Sequence, residues 1–251
     1  PGEVERLRLE DEDPRAHPVK LANPLSEDQS VMRTTLLGSV LGAARRNLSR
    51  GADRVALFES GRVYLPASEF GPGPLGGDFP GNTRPPTNEI HHVCAVTVGA
   101  IDPVTWKHES VGSDFYALKG VLEHLVGSLG TQAVGLSVVG LDPEPFLHPG
   151  KSGKVFFWDR EIGWIGEVHP LVAAEYGLEG AIAFEIALGE LLEFSQVGEE
   201  EYSEFTQYPP VDRDLAVVVP KEVSAAFVIG TVRGAGGHLL DEDVTVFDVY
   251  T

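Results

Sequence analysis

The chain has 251 residues, with 38 acidic side chains against 19 basic ones and a formal charge of −19. Its 42% hydrophobic and 23% charged composition is that of a globular protein and excludes collagen-like and low-complexity architectures. The single cysteine, Cys94, rules out an internal disulfide and a zinc site built from several thiolates. At about 150 residues per domain, this length gives one large domain or two smaller ones. No stretch approaches the roughly 18 consecutive apolar residues of a membrane helix, and the N-terminus lacks a basic-then-apolar leader, so the expected location is the cytoplasm. The excess of negative charge repels phosphate, so any contact with nucleic acid must come from a local basic patch or a basic partner. The chain starts at Pro1 and its last residues, Val244 to Thr251, read as a strand without partners, which points to a piece of a longer chain.

Residues 1–18 are charged and aperiodic and read as a linker or loosely packed arm. Leu36 to Arg50 then places Leu36, Leu37, Val40, Leu41, Ala44 and Leu48 on one helical stripe, with Gly51 as the cap and Arg45, Arg46 and Arg50 near the negative end of the dipole. Val55 to Glu59 and Arg62 to Leu65 are β-rich runs around Ser60-Gly61, which predicts a bent strand or a hairpin. Pro66 to Thr87 is rich in glycine and proline, which forbids a helix or a central strand and predicts an exposed loop.

Glu89 to Gly99 alternates into a strand, and Ser113-Asp114 caps a helix reaching about Ser128. Cys94, in the middle of that strand, is expected to be a buried, unreactive thiol. From Ala133 onward strands dominate: Ala133 to Gly140, then Lys154 to Pro170 with a turn at Asp159 to Glu161, and Ala181 to Leu188 after a short helix at Leu171 to Tyr176. Short connections without βαβ alternation predict an antiparallel sheet and an α+β class. After the acidic run Glu199 to Glu201, a strand (Arg213 to Val219), a helix (Ser224 to Gly234) and a strand (Leu240 to Tyr250) read as the first half, β-α-β, of a split ferredoxin-like unit.

Few patterns in the residues point to chemistry. His91 and His92 are neighbours in a strand and must point to opposite faces, so they cannot chelate one ion together. A metal site would need His148 and His169 to converge with Glu167, and this defines a rival reading as a self-contained metal-dependent hydrolase. His148 to Lys154 superficially suggests a phosphate loop, but the full pattern is absent and a strand follows. No Gly-x-Ser-x-Gly elbow occurs. A general protein-interaction module is the third reading.

Six strings, in order, resemble the C-terminal part of the β-subunit family of bacterial phenylalanine-tRNA ligases. They are LANPLSEDQSVMRTTLL (Leu21 to Leu37), ALFESGRVY (Ala56 to Tyr64), SDFYALKGVLEHL (Ser113 to Leu125), HPGKSG (His148 to Gly153), IGWIGEVHP (Ile162 to Pro170) and YPPVDRDLAVVV (Tyr208 to Val219). Beyond the arm at 1–18, the resemblance implies a catalytically silent class II synthetase-like antiparallel sheet flanked by helices at 19–198 and the start of a ferredoxin-like anticodon-binding domain at 199–251. It implies a scaffold for a catalytic α-subunit and for tRNA in an assembly of two α and two β chains. ATP and magnesium belong to the whole enzyme and none is held by this chain.

Silence is also legible in the residues. An ATP site of this class needs Arg-x-Glu and a Gly-x-Gly-x-x-Arg to neutralise and align the triphosphate. Here Phe58 to Arg62 keeps Glu59 and Arg62 without that order. Arg33, Glu59 and Arg62 are therefore expected to be structural or interfacial ion-pair partners. Arg213, Phe247 and Tyr250 are the candidates for facing RNA. From Phe205 to Thr251, however, three basic residues stand against seven acidic ones, a poor balance for reading RNA.

Overall fold

The computed structural model describes residues 2–66, 87–107, 109–129, 135–140, 142–194, 209, 211–240 and 244–250. The predicted loop at Pro66 to Thr87 and the acidic run Glu199 to Glu201 lie, apart from Pro66 and Thr87 themselves, outside the described residues. The chain divides into two compact units, Pro1–Gly198 and Glu199–Thr251.

The first unit is α+β. Its elements in chain order are α1 (Glu3–Arg6), α2 (Leu37–Ser49), β1 (Val55–Pro66), β2 (Thr87–Val98), β3 (Ala100–Asp102), β4 (Val111–Gly112), α3 (Phe115–Ser128), β5 (Leu136–Val139), β6 (Leu147–Phe157), β7 (Arg160–Val168), α4 (Pro170–Glu175), β8 (Ile182–Ala187) and α5 (Leu188–Phe194). Six strands form one antiparallel sheet in the order β1-β2-β8-β7-β6-β5, and β3 pairs with β4 in a small second ladder. Strand β8 enters between β2 and β7, so the last strand in sequence closes the centre of the sheet.

At the centre of this sheet both faces are buried. On one, α2 supplies Leu37, Val40, Leu41 and Ala44 to a core with Val63, Cys94, Val96, Trp164 and Ala183. On the other, Leu118, Leu122 and Val126 of α3, with Leu191 of α5, meet Val93, Ala95, Ile165, Phe184 and Ile186. A fully buried leucine such as Leu122 contributes about 1.5–3 kcal/mol relative to exposure. This two-sided burial explains why the second half of β2 (residues 93–98) and β8 read as nearly unbroken apolar runs. Asp114 caps α3 by accepting from the Ala117 amide at 2.7 Å.

Three expectations change. The reading of residues 1–18 as a loosely packed arm meets a helical turn, α1, followed by Leu7 with no solvent exposure inside the α2 core. Its few apolar side chains are spaced too irregularly to show as a period, yet one well-placed leucine suffices to seat the segment. The break anticipated at Ser60-Gly61 is absent, because β1 runs unbroken against β2 with Gly61 opposite His92. Gly61 instead leaves room for the Arg33 guanidinium lying across the strand, which a Cβ there would push aside.

In the second unit, α6 (Ala225–Gly236) forms as expected behind a Ser224 cap, whose hydroxyl accepts from Phe227 N at 3.2 Å. The flanking segments 211–220 and 244–250 carry no strand ladder among the described residues, so of the expected β-α-β only the helix, followed by a 3-10 turn at Gly237–Leu239, is formed there. A strand exists only through hydrogen bonds to a neighbour. Leu215, Val217, Phe247 and Val249 keep the alternation but remain exposed.

Candidate functional site

The sequence candidates Arg33, Glu59 and Arg62 come together where the segment before α2 crosses β1. The Arg33 guanidinium donates through Nη1 to Glu59 Oε1 and through Nε to the Arg62 carbonyl at 2.8 Å. The Arg33 carbonyl in turn accepts from the Tyr64 amide at 2.9 Å, so Arg33 stitches the outer edge of β1. Ser39 Oγ of α2 donates to the other Glu59 oxygen at 2.6 Å. Arg62 pairs with Glu89 across β1 and β2 at 2.9 Å. Both arginines thus hold carboxylates of this same unit.

A second cluster was not foreseen. Glu185, 3% exposed in the middle of β8, accepts from Thr35 Oγ1 at 2.6 Å, from the Leu36 amide at 3.1 Å, and shares a 2.7 Å contact with His92 Nδ1. A carboxylate placed against the first turn of α2 satisfies an otherwise orphaned N–H and meets the positive end of the dipole. Glu3 approaches the same turn from α1. Burial raises its carboxyl above the ordinary value, with the Glu185 charge adding to the rise and a hydrogen bond to the Gly38 backbone opposing it. Gly38 makes this approach possible, since a Cβ there would strike the Glu3 carboxylate. The signal available in the sequence was one acidic residue inside the apolar run Ala181 to Leu188.

Beside Glu185, Cys94 is fully buried, and its thiol is pushed well above the ordinary value by burial and then by the Glu185 and Glu59 charges. That is the inert state expected for it. His91 and His92 do diverge, one bonding Ser60 at 2.8 Å and the other Glu185.

A third cluster fastens the N-terminal segment to the β6-β7 hairpin. Arg15 bridges Asp13 at 2.6 Å and Glu144 at 2.5 Å while lying over the Phe146 ring, and Lys154 bridges Glu144 at 2.7 Å and Glu161 at 2.9 Å. Burial alone would lower the pKa of Arg15, but its bonds to Asp13 and Glu144 outweigh that and raise it. Asp13 moves down, because the Arg15 bonds outweigh the desolvation that would raise it.

The residues of the metal-hydrolase reading are separately engaged. Glu167 pairs with Lys151 at 2.6 Å, and His148 and His169 each accept a local backbone N–H, from Gly150 and Leu171. Among the described residues, no three His, Cys, Asp or Glu side chains are grouped to hold an ion. In the second unit Arg213, Phe247 and Tyr250 are all exposed, the aromatics at 75% and 90%. No helix among the described residues is long and apolar enough to cross a membrane.

Fold and site together define a packed antiparallel α+β domain, its polar groups tied to one another, followed by a separate second unit. Comparison with known proteins is specific. The family described as phenylalanyl tRNA synthetase beta chain CLM domain matches residues 1–188, and the ferredoxin-fold anticodon binding domain matches residues 206–251. The chain belongs to the phenylalanyl-tRNA synthetase beta chain family. The phenylalanine-tRNA ligase β-subunit of Moorella thermoacetica is 37% identical over 254 residues, matching all of this chain and 29% of its own length. That of Carboxydothermus hydrogenoformans is 35% identical over 251 residues, with the same shares, and that of Xanthomonas oryzae pv. oryzae is 37% identical over 235 residues, or 92% of this chain. The chain therefore spans under a third of the length of these relatives.

Proposed function

We propose that this chain serves as the catalytically silent, class II synthetase-like module (residues 19–198) and the start of the anticodon-binding domain (residues 199–251) of a phenylalanine-tRNA ligase β-subunit. It supports the ATP-dependent attachment of phenylalanine to its tRNA by holding the catalytic α-subunit and placing the tRNA. The setting is a cytoplasmic assembly of two α and two β chains.

The observation that carries the silent role is the commitment of Arg33 and Arg62 to Glu59 and Glu89. A site that activates ATP must offer unneutralised cationic groups to the developing phosphoryl charge, preorganised and free of competing anions. Here the carboxylates already occupy that role, and the cores on both faces leave the sheet as a packed support. ATP and magnesium are needed by the whole enzyme and would be held by the α-subunit. The chemistry they would supply there is transfer of an adenylyl group from ATP to the amino-acid carboxylate, with pyrophosphate leaving. What this chain contributes is a stiff platform: α2 fixed at its start by Glu185, and the N-terminal segment fixed by Leu7 and Arg15.

The test is reconstitution. The complete β-chain should capture the catalytic α-subunit in a pull-down and support aminoacylation, and a β-chain lacking residues 19–198 should do neither. Retention of full aminoacylation by the deleted chain would overturn the scaffold role, and failure of capture by the complete chain would favour an unrelated interaction module.

A further inference from the structure

The end of α2 carries a charge pattern at odds with the rest of the chain. Arg45, Arg46, Arg50 and Arg54 fall within ten residues that contain one acidic side chain, Asp53, although the whole chain has twice as many acidic as basic residues. The first three are exposed and Arg54 is half-buried. Among the described residues none of the four has an ion-pair partner, whereas Arg15, Arg33, Arg62, Lys119, Lys151 and Lys154 all do.

Helix capping does not account for the cluster. The last carbonyls of α2 are already served: Asn47 O by the amides of Arg50 and Ala52, Leu48 O by Gly51 N, and Arg46 O by the Ser49 hydroxyl. One or two cations at this end would complement the dipole by about 0.3–1 kcal/mol each. Arg46 and Arg50, however, lie four apart at the last turn and C-cap of α2, where like charges repel, Arg45 and Arg54 flank them, and no ion pair among the described residues compensates the four. Such a ridge is relieved by a polyanion. Arg54 also lies against Gly99, where a Cβ would sit 3.2 Å from its own Cβ. From Gly99 the chain runs through β3 into the loop that presents Trp106, 89% exposed, with Lys107 Nζ 5.1 Å from the centre of its ring.

We infer that this ridge, Arg45, Arg46, Arg50 and Arg54, contacts the sugar-phosphate backbone of RNA. The inference rests on the proposed role in a tRNA ligase, where that RNA is the tRNA. It also answers a deficit: the unit matching the anticodon-binding domain is itself net acidic from residue 205 onward, so the attraction for phosphate must come from elsewhere. An exposed aromatic on the adjoining loop favours RNA over an acidic protein segment, since bases can stack on it.

The experiment uses the assembly of α-subunit with complete β-chain and a phenylalanine-accepting tRNA transcript. Affinity is measured from low to moderate potassium chloride for wild type and for the triple variant Arg45→Gln, Arg46→Gln, Arg50→Gln. Each lost phosphate contact should flatten the slope of log affinity against log salt by about 0.7–0.9, so the triple variant should lose about 2–3 units of slope. Its affinity at low salt should fall at least tenfold, and KM for tRNA should rise with kcat unchanged. Lysine at the same three positions should restore the slope. If the triple variant does not fold, the single variants should each remove one step of slope. Unchanged slope and affinity in an intact assembly would overturn the inference, as would loss of α-subunit capture without change in RNA binding, which would assign the ridge to a protein partner. Either outcome leaves the scaffold role standing. That role fails on a different result, a wild-type assembly that does not form.

Discussion

The two units differ in what covers their apolar side chains. In the first, β2 and β8 are enclosed between α2 on one face and α3 with α5 on the other, and each strand in the sheet has its ladder. In the second, α6 has no buried residue, and the segments around it keep alternating Leu215, Val217 and Phe247, Val249 in the open. The local instructions are equally clear in both: Asp114 caps α3 as Ser224 caps α6. Patterning and caps thus suffice to write a helix, while sheet structure waits for neighbours, and stability follows burial rather than propensity.

The sharpest way to break this contrast is to remove the buried carboxylate at the centre of the first unit. Glu185→Ala strands Thr35, the Leu36 amide and His92 without their acceptor, and should lower unfolding free energy by about 3–5 kcal/mol, read by urea denaturation followed through the tryptophans. A loss below 1 kcal/mol would show that α2 is held by packing alone. Next, Leu7→Ala should cost about 2–5 kcal/mol by the same measurement, because a fully buried leucine leaves a cavity. A neutral result would restore the loose-arm reading of the N-terminal segment.

A smaller, pH-dependent effect belongs to Glu3. Its carboxyl titrates above the ordinary 4.5 in the folded state because burial disfavours the charge. The folded protein then holds that proton more tightly than the unfolded chain, so this group weakens stability as pH rises from 4.5 through the raised value. Glu3→Gln should accordingly stabilise the first unit at pH 7 and make no difference near pH 4, as thermal melts at the two values would reveal. The opposite order of effects would mean that the carboxylate acts as a net favourable cap. The smallest change is expected in the second unit, where Phe227→Ser should shift stability within about ±0.5 kcal/mol, since the ring is 68% exposed. A larger loss, seen by hydrogen exchange of α6, would mean that the ring is covered in solution.

These cases also mark what the sequence could tell. Helix α2, the Asp114 cap, the short helix α4 and the burial of Cys94 were legible because each depends on local spacing or on one residue in an apolar run. The family was legible because six strings survive in order. Glu185 was not, because a single acid in a strand looks the same whether it faces water or three buried donors. Only the insertion of β8 beside β2 brings it to the start of α2. The role of Gly61 was misjudged for a related reason: a glycine in a strand suggests a bend, whereas here it makes room for a guanidinium arriving from residue 33. The Arg15 to Lys154 network likewise joins residues more than a hundred positions apart.

The central claim is that this body supports a reaction it does not perform, Arg33 and Arg62 being paired with Glu59 and Glu89 of the same unit. ATP-pyrophosphate exchange by the purified chain alone, with saturating phenylalanine and magnesium, tests this most directly. The account predicts no exchange above the protein-free blank, for wild type and for Arg33→Ala alike. Exchange by the wild-type chain that disappears in Arg33→Ala would contradict it.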